Sequence, residues 1–162
     1  MLESKNSHYF KKSFLFLFFF LVTVLQSYSE KVISTESLEI TISQAQILDK
    51  VGVEYFEITP SYGYVYIVIS AKYKNTTGGN IYVNTLPSMY VYNINNARHK
   101  SDEIAVKYYS MQIDFTEKYP VTIPGNASAE RIYIYEADAE LIKQKGWYIR
   151  IDSISTPIEL NF

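Results

Sequence analysis

Hydrophobic and polar residues alternate along several short stretches of the chain, beginning with LEITI at residues 38–42. Leu38, Ile40 and Ile42 fall on one side of an extended chain and polar groups on the other, which is the pattern of a half-buried β-strand. The longest such stretch is YVYIVISAKY at residues 64–73. We expect its apolar and largely β-branched side to face the core. That side consists of Val65, Ile67, Ile69, Ala71 and Tyr73.

Further strand-like stretches follow, separated by residues that favour turns. SMYVYNI at residues 88–94 predicts one strand, and EIAVKYYSMQIDF at residues 103–115 predicts one or two. ERIYIY at residues 130–135 follows a turn predicted at Pro124 and Gly125, and WYIRIDSI and PIELNF close the chain as strands. About seven or eight short strands joined by turns indicate an all-β, immunoglobulin-like antiparallel β-sandwich.

One short segment has the features of a helix. ADAELIKQK, Ala137 to Lys145, has Asp138 in position to cap its N-terminus, and Gly146 lies just past its end. We therefore predict a connecting helix of about two turns there.

The polar stretch NTTGGN at residues 75–80 permits two interpretations. Gly78 and Gly79 favour a tight hairpin between the flanking strands, because glycine adopts positive φ without steric cost. A phosphate-binding loop would instead open onto a helix, whose N-terminal amides face the anion. The residues that follow, IYVNTL, are strand-like, so we predict a hairpin.

The N-terminal residues predict an export signal. Lysines precede the apolar run FLFLFFFLVTVL at residues 14–25, and small serines precede Glu30. A helix of this run spans roughly 18 Å, which is short of the roughly 30 Å hydrocarbon core of a bilayer. We therefore predict a signal peptide over residues 1–29, a short linker over 30–37 and a sandwich domain over 38–162. Retention of the segment as an anchor is the alternative.

Composition excludes several kinds of function. The chain has no cysteine, which rules out disulfides, thiolate nucleophiles and cysteine-ligated metals. The formal net charge is -2, and acidic and basic residues are interspersed, so we expect no nucleic-acid partner. No cofactor motif is present, and we predict no cofactor.

Two stretches of the chain carry a family resemblance. YVYIVISAKYKNTTGGNIYV ends its strand in Lys74, Asn75 and Thr76, and a later stretch has a turn at Pro124 and Gly125 before a strand, an acidic turn and a final strand. Together they resemble the secreted, immunoglobulin-like bacterial domain-of-unknown-function family whose members often carry the misleading label of telomeric repeat-binding factor. The resemblance implies a sandwich fold and an extracytoplasmic location, and it transfers no catalytic residue.

The chain departs from that family in two respects. It lacks the lipoprotein cysteine or long polar linker that usually follows the signal, and tyrosines replace many of the aliphatic residues. The resemblance therefore implies no shared ligand or partner for this chain.

A catalytic site would depend on His99, because the other histidine lies in the predicted signal peptide. A hydrolase of the serine-histidine-acid type would combine His99 with Asp102 or Glu103 and with Ser101 or Ser110. No nucleophile-elbow motif supports that arrangement, and His99 lies in the polar sequence NNARHKSDE. We therefore predict a solvated loop histidine and no enzymatic activity.

Two groups of residues contain carboxylates at close spacing. His99, Asp102 and Glu103 form one, and Glu136, Asp138 and Glu140 form the other. Neither matches the spacing of a known calcium loop, and acidic residues at a helix start complement the helix dipole. We predict no metal site, with calcium near Asp138 as the alternative.

Tyrosine is the most informative residue type. The chain has sixteen tyrosines, and all but Tyr9 and Tyr28 follow residue 29. Isoleucine and valine alternate with tyrosine in two of the predicted strands, so we expect the tyrosines there to face outward. These are Tyr64, Tyr66, Tyr133 and Tyr135.

Outward tyrosines have two interpretations. One is a binding face for a protein or a glycan, since tyrosine provides large contact area at low entropic cost. The other is cross-strand pairing that stiffens a sheet. We predict a secreted or cell-envelope binding module, in the periplasm or at the cell surface, that contacts the membrane only transiently through its signal peptide. A structural or accessory envelope module is the alternative.

Overall fold

The computed structural model describes residues 30–113 and 120–162, and these residues fold mainly into antiparallel strands. The strands are β1 (Lys31–Ser34), β2 (Leu38–Leu48), β3 (Val51–Val53), β4 (Phe56–Ile58), β5 (Tyr64–Asn75), β6 (Ile81–Tyr82), β7 (Met89–Tyr92), β8 (Arg98–His99), β9 (Thr122–Ile123), β10 (Ser128–Asp138), β11 (Trp147–Ile151) and β12 (Ile158–Leu160). Helix α1 spans Glu103–Gln112, and short 3-10 turns span Val83–Thr85 and Leu141–Lys143.

Two four-stranded sheets form the body of the domain. The first has the strand order β1-β2-β5-β10 and the second the order β12-β11-β7-β8. Strands β3 and β4 form a small hairpin, and β6 pairs with β9. The predicted antiparallel β-sandwich is therefore confirmed. Residues 30–37 were predicted as a linker, but Lys31–Ser34 form the edge strand β1, which pairs with β2.

The main core lies between the two sheets. The apolar side of β5 faces it as predicted, and the predicted strand at residues 38–42 contributes its three alternating apolar residues. The second sheet contributes Trp147, Ile149 and Ile151 from β11 and Val91 from β7. Trp147 is 1% exposed and its Nε1 donates to the carbonyl oxygen of Leu141 at 3.0 Å, so the largest side chain of the core is also hydrogen-bonded.

A second, smaller core lies on the opposite face of the first sheet. Tyr66 and Val68 of β5 and the isoleucines of β10 pack there against Ala105, Val106 and Tyr109 of α1. Val51 of the β3–β4 hairpin completes this cluster. The central part of the first sheet is thus buried on both faces, while beyond the helix β5 returns to alternation, with Lys72 and Lys74 exposed.

The predicted strands over residues 103–115 were wrong for the ten residues that form α1. Asp102 caps this helix, because its Oδ1 accepts hydrogen bonds from the backbone amides of Ile104 at 2.9 Å and Ala105 at 3.0 Å. Ala105, Val106 and Tyr109 follow at helical spacing and form the buried side. Ile113 follows the helix as its C-cap, and residues 114 and 115 lie outside the described part of the chain.

The predicted helix over Ala137–Lys145 was also wrong. Ala137 and Asp138 end strand β10, and only Leu141–Lys143 form a 3-10 turn. The Asp138 carboxylate does accept from the following backbone amides, those of Glu140 at 2.8 Å and Leu141 at 3.0 Å. The capping signal was therefore real, but it marks a tight turn.

The predicted hairpin at residues 75–80 was wrong as well. Strand β5 pairs with β2 and β10, whereas β6 pairs with β9, so the loop carries the chain out of the first sheet. Neither Gly78 nor Gly79 has a positive φ. The Pro-Gly turn lies against this loop, since a Cβ added to Gly125 would come within 2.7 Å of the Gly78 backbone.

Asn75 holds this loop in place. Its side chain is 0% exposed, and its Nδ2 donates to the carbonyl oxygens of Gly79 at 2.7 Å and Ile123 at 2.9 Å. Its Oδ1 accepts from the backbone amide of Thr77 at 2.9 Å and from the Thr77 hydroxyl at 2.8 Å. One amide therefore ties the end of β5, the loop and strand β9 together.

Replacing Asn75 by alanine should destabilise the domain strongly. The change leaves the Gly79 and Ile123 carbonyls without their donor, and we expect the free energy of unfolding to fall by about 3 kcal/mol. Urea denaturation followed by circular dichroism measures the loss. Asn95→Ala, at an exposed position, should change stability by less than about 0.5 kcal/mol. Equal stabilities of the two variants would contradict this role of Asn75.

Candidate functional site

Three of the four tyrosines predicted to form a binding face are buried. Tyr66 is 2% exposed, Tyr133 7% and Tyr135 0%, while Tyr64 is 42% exposed. Tyr133 and Tyr135 face the core between the sheets, and Tyr66 faces helix α1. The prediction of outward tyrosines was therefore wrong for Tyr66, Tyr133 and Tyr135, whereas Tyr64 is exposed as predicted. The reason is that both faces of the first sheet are covered. An aliphatic side of a strand is therefore buried, but the opposite side is buried as well.

The buried phenols are satisfied by partners inside the protein. The hydroxyl groups of Tyr73 and Tyr133 lie 2.7 Å apart and share a hydrogen bond, and the Tyr135 hydroxyl donates to the Met89 carbonyl at 3.0 Å. The second bond links the two sheets across the core. Such bonds allow tyrosine to occupy positions that are otherwise aliphatic.

Burial also makes these phenols difficult to ionise. Desolvation raises the pKa of Tyr66 to about 12, with a further increase from the negative charges of Asp102 and Glu136. Desolvation likewise raises the pKa values of Tyr73 and Tyr135, and the neighbouring Tyr133 adds to both shifts. All three groups are therefore neutral at physiological pH.

His99 does not lie in a solvated loop, so that prediction was also wrong. It belongs to β8 opposite Val91, and its ring centroid lies 5.6 Å from that of Trp147 at an angle of 35°. Its Nε2 is buried and has no hydrogen-bond partner among residues 30–113 and 120–162. The imidazole thus packs against the edge of the core.

The other residues of the hydrolase alternative are engaged elsewhere. The Asp102 carboxylate caps α1, and the Ser101 Oγ accepts from the backbone amide of Ile134 at 3.2 Å. The Ser110 hydroxyl donates to the Val106 carbonyl at 2.8 Å within the helix. No hydrogen bond joins His99 to these three residues in the described structure, and the contacts they make are structural.

The acidic residues near Asp138 each have a local partner. Glu136 accepts from the backbone amide of Ser61 at 3.0 Å and from its hydroxyl at 2.9 Å, and Glu140 pairs with Lys143 at 2.7 Å. The backbone amides of Leu141 and Glu140 lower the pKa of Asp138. Within the two described ranges, no three histidine or acidic side chains are grouped as metal ligands would be.

The outer face of the second sheet carries a different group of aromatic and cationic side chains. Antiparallel register places Tyr148 opposite Tyr92 and Arg150 opposite Tyr90, and it places Arg98 on the other side of Tyr92. We call these five residues the Tyr–Arg face. They alternate with the buried residues of the same strands, so their side chains point away from the core.

The side chains of the Tyr–Arg face pack on one another. The rings of Tyr92 and Tyr148 stack with centroids 5.2 Å apart and an interplanar angle of 2°. The Arg150 Cζ lies 5.3 Å from the Tyr92 centroid and 5.4 Å from the Tyr148 centroid, and the Arg98 Cζ lies 4.8 Å from that of Tyr90. These distances are those of cation–π interactions, and the contacts keep both guanidinium groups beside the rings.

The adjacent turn helps to fix this arrangement. The Tyr148 hydroxyl donates to Oδ1 of Asn96, and the turn itself is organised by Asn93, whose Oδ1 accepts from the backbone amides of Asn95 and Ala97. Neither Arg98 nor Arg150 forms an ion pair within the part of the chain that the structure describes. Arg98 and Arg150 are both exposed residues.

A signal for this face was present in the sequence. Tyr90 and Tyr92 alternate in MYVY, and Tyr148 and Arg150 alternate in WYIRI. Their pairing across β7 and β11 depends on the register of strands more than fifty residues apart, which periodicity within one strand does not provide.

The fold has counterparts among solved structures. A conserved hypothetical protein from Bacillus anthracis matches with a TM-score of 0.75 and 22% identity, over 82% of this chain and 94% of its own. An uncharacterised β-sandwich protein from Clostridium difficile 630 matches with a TM-score of 0.53 and 18% identity, over 78% of this chain and 86% of its own. The protein is thus of the antiparallel β-sandwich class.

A third structure is described as a putative lipoprotein from Bacillus subtilis subsp. subtilis strain 168, and it matches with a TM-score of 0.50 and 14% identity. The match covers 81% of this chain and 39% of the lipoprotein's chain. No family model and no curated protein matches the sequence. At these identities the likenesses show a common fold.

The described residues include no helix of the length and hydrophobicity needed to cross a bilayer. The apolar run at residues 14–25 lies outside them, so the signal peptide stays a prediction from the sequence.

Exchanging His99 for phenylalanine tests whether the imidazole is structural. Phenylalanine keeps a ring beside Trp147 and removes the buried unpaired nitrogen, so we expect the melting temperature to stay equal or to rise. His99→Ala should lower it by several degrees, because it leaves a gap beside Trp147. Differential scanning calorimetry distinguishes the two. Lower stability of the phenylalanine variant than of the alanine variant would show that the imidazole nitrogens have an essential partner.

Proposed function

We propose that the protein is a secreted or cell-envelope binding module without catalytic activity, and that the Tyr–Arg face binds an acidic glycan. The observation that carries this proposal is the stacked array of Tyr92, Tyr148 and Arg150 on the outside of the second sheet. A binding role through tyrosines was expected from the sequence. The residues that would carry it are different ones.

The tyrosines provide the aromatic part of the binding surface. Sugar rings have apolar C–H faces that pack against aromatic rings, and the stacked pair of Tyr92 and Tyr148 would offer them the ring surface that the stack itself does not cover. The sheet and the turn at Asn96 already hold the rings, so little conformational entropy is lost on binding.

The arginines provide the charge selectivity. A guanidinium group binds a carboxylate or phosphate through two parallel hydrogen bonds, and stacking on an aromatic ring leaves its N–H edge available. Arg98 and Arg150 lie on opposite sides of β7 and are offset by two residues along the strands, which separates their Cα atoms by roughly 12 Å. Two anionic groups on one extended polymer span such a distance. Glu159, opposite Tyr148 in β12, limits the favourable region on that side.

The proposed location is supported by three observations. The N-terminal sequence has the organisation of a signal peptide. The segments around Asn75 and Pro124 resemble a secreted family, and one protein of similar fold is described as a putative lipoprotein. The proposed absence of catalysis is supported by the structural roles of Ser101, Asp102 and Ser110 described above.

Binding to three defined polymers tests the proposal. Polygalacturonate combines sugar rings with carboxylates, dextran has the sugar rings alone, and polyglutamate has the carboxylates alone. We expect polygalacturonate to bind most tightly in microscale thermophoresis, and we expect its affinity to fall as salt is raised. The triple variant Tyr92→Ser, Tyr148→Ser, Arg150→Gln should bind it at least about tenfold more weakly, a loss of about 1.4 kcal/mol.

The matched control carries Tyr55→Ser, Tyr62→Ser and Lys107→Gln, which removes two exposed tyrosines and one cation elsewhere on the surface. It should bind as the native protein does. Equal affinity of the two triple variants, or no binding to polygalacturonate, would contradict the proposal and favour a structural role. Equal binding of polyglutamate would instead indicate an acidic protein partner.

A further inference from the structure

An open cavity lies at one edge of the sandwich, where the two sheets are bridged by the segment that leads into α1. Its volume is about 440 Å³, which lies within the range of small-molecule pockets. Residues around Met89 contribute one wall from the second sheet, and Arg131 and Tyr133 contribute the other from β10. Lys100, Ser101 and Glu103 line the connection between them.

Positive charge predominates among the lining side chains. Lys100 and Arg131 both line the cavity, and Glu103 is the one carboxylate among the described lining residues. Lys100 is exposed and forms no ion pair within the described chain. Two cations that share a concave surface with low-dielectric walls repel each other and attract an anion between them.

Tyr133 contributes to the remaining wall of the cavity. It lies beneath the guanidinium group of Arg131, whose Cζ is 5.5 Å from the ring centroid, and its hydroxyl shares a hydrogen bond with that of Tyr73. Tyr90 is a further lining residue, although its side chain belongs to the Tyr–Arg face. A ligand in the cavity would meet Tyr133 while its charged group meets the cations.

We propose that this cavity binds a small organic anion, a carboxylate or a phosphate ester with a flat body, whose charged group is held by Lys100 and Arg131. Tyr133 contacts the body of the ligand, and Glu103 disfavours ligands with a second negative charge on its side of the cavity. The inference does not depend on the glycan proposal, because Lys100 and Arg131 are not part of the Tyr–Arg face.

Three probes separate the contributions of charge and ring. Phenyl phosphate and benzoate carry both, inorganic phosphate carries the charge alone, and benzyl alcohol carries the ring alone. Titrations followed by amide chemical shifts in two-dimensional NMR should show saturable shifts at Ser88 and Ser101 with the aromatic anions. The relative affinities of phenyl phosphate and benzoate show which anionic group the cavity prefers. Inorganic phosphate should bind at least fivefold more weakly, and benzyl alcohol should not saturate.

Lys100→Gln provides the decisive variant, because Lys100 is exposed and its removal should not affect folding. We expect at least fivefold weaker binding of phenyl phosphate, with unchanged binding of polygalacturonate to the Tyr–Arg face. Lys145→Gln, an exposed lysine that does not line the cavity, should bind phenyl phosphate as the native protein does. The proposal would be overturned by equal affinities of the two variants, or by phenyl phosphate shifts that do not saturate or that centre outside the cavity.

Discussion

Burial of the first sheet on both of its faces is the constraint on which the rest of the structure depends. Strands β5 and β10 pack against the second sheet on one side and against α1 and the β3–β4 hairpin on the other. Every residue from Val65 to Ile69 is buried as a consequence. Tyr66, Tyr133 and Tyr135 are accommodated only because each phenol fits a packed environment, and the hydroxyl groups of the last two have internal partners.

This constraint also determines which tyrosines remain at the surface. The second sheet has one buried face, and its outer face keeps the alternation of apolar and polar residues that marks a solvated sheet. Tyrosines on that face are therefore accessible, and cross-strand pairing brings them together with Arg98 and Arg150. The Tyr–Arg face and the buried phenols thus have the same residue type but opposite environments, because α1 covers Tyr66 and the second sheet covers Tyr133 and Tyr135.

The sequence was sufficient for the sandwich and for the inward side of β5, because alternation of apolar residues reports directly on one buried face. It was insufficient where a second layer covers the sheet. In β10, Ile132 and Ile134 face α1, while Tyr133 and Tyr135 face the main core. Both sides of this strand are buried, so the prediction that its tyrosine side faces solvent was wrong. The helix itself was missed because Tyr108 and Tyr109 have good strand propensity, although Asp102 and the spacing of Ala105, Val106 and Tyr109 were signals for it. The Tyr–Arg face could not be predicted, because it depends on the register between strands that are far apart in the sequence.

Spectrophotometric titration of the tyrosines at 295 nm, with far-ultraviolet circular dichroism recorded in parallel, tests the central claim most directly. Burial raises the pKa values of Tyr66, Tyr73 and Tyr135 above the ordinary tyrosine pKa of about 10. The stability that these neutral phenols contribute is therefore complete below about pH 10 and is lost as the pH rises through the raised pKa values. The account predicts two phases: a first increase in absorbance while the fold persists, and a second at higher pH, from Tyr66, Tyr73 and Tyr135, together with loss of the β-sheet signal. A single phase in which all tyrosines ionise while the sheet signal remains unchanged would contradict it.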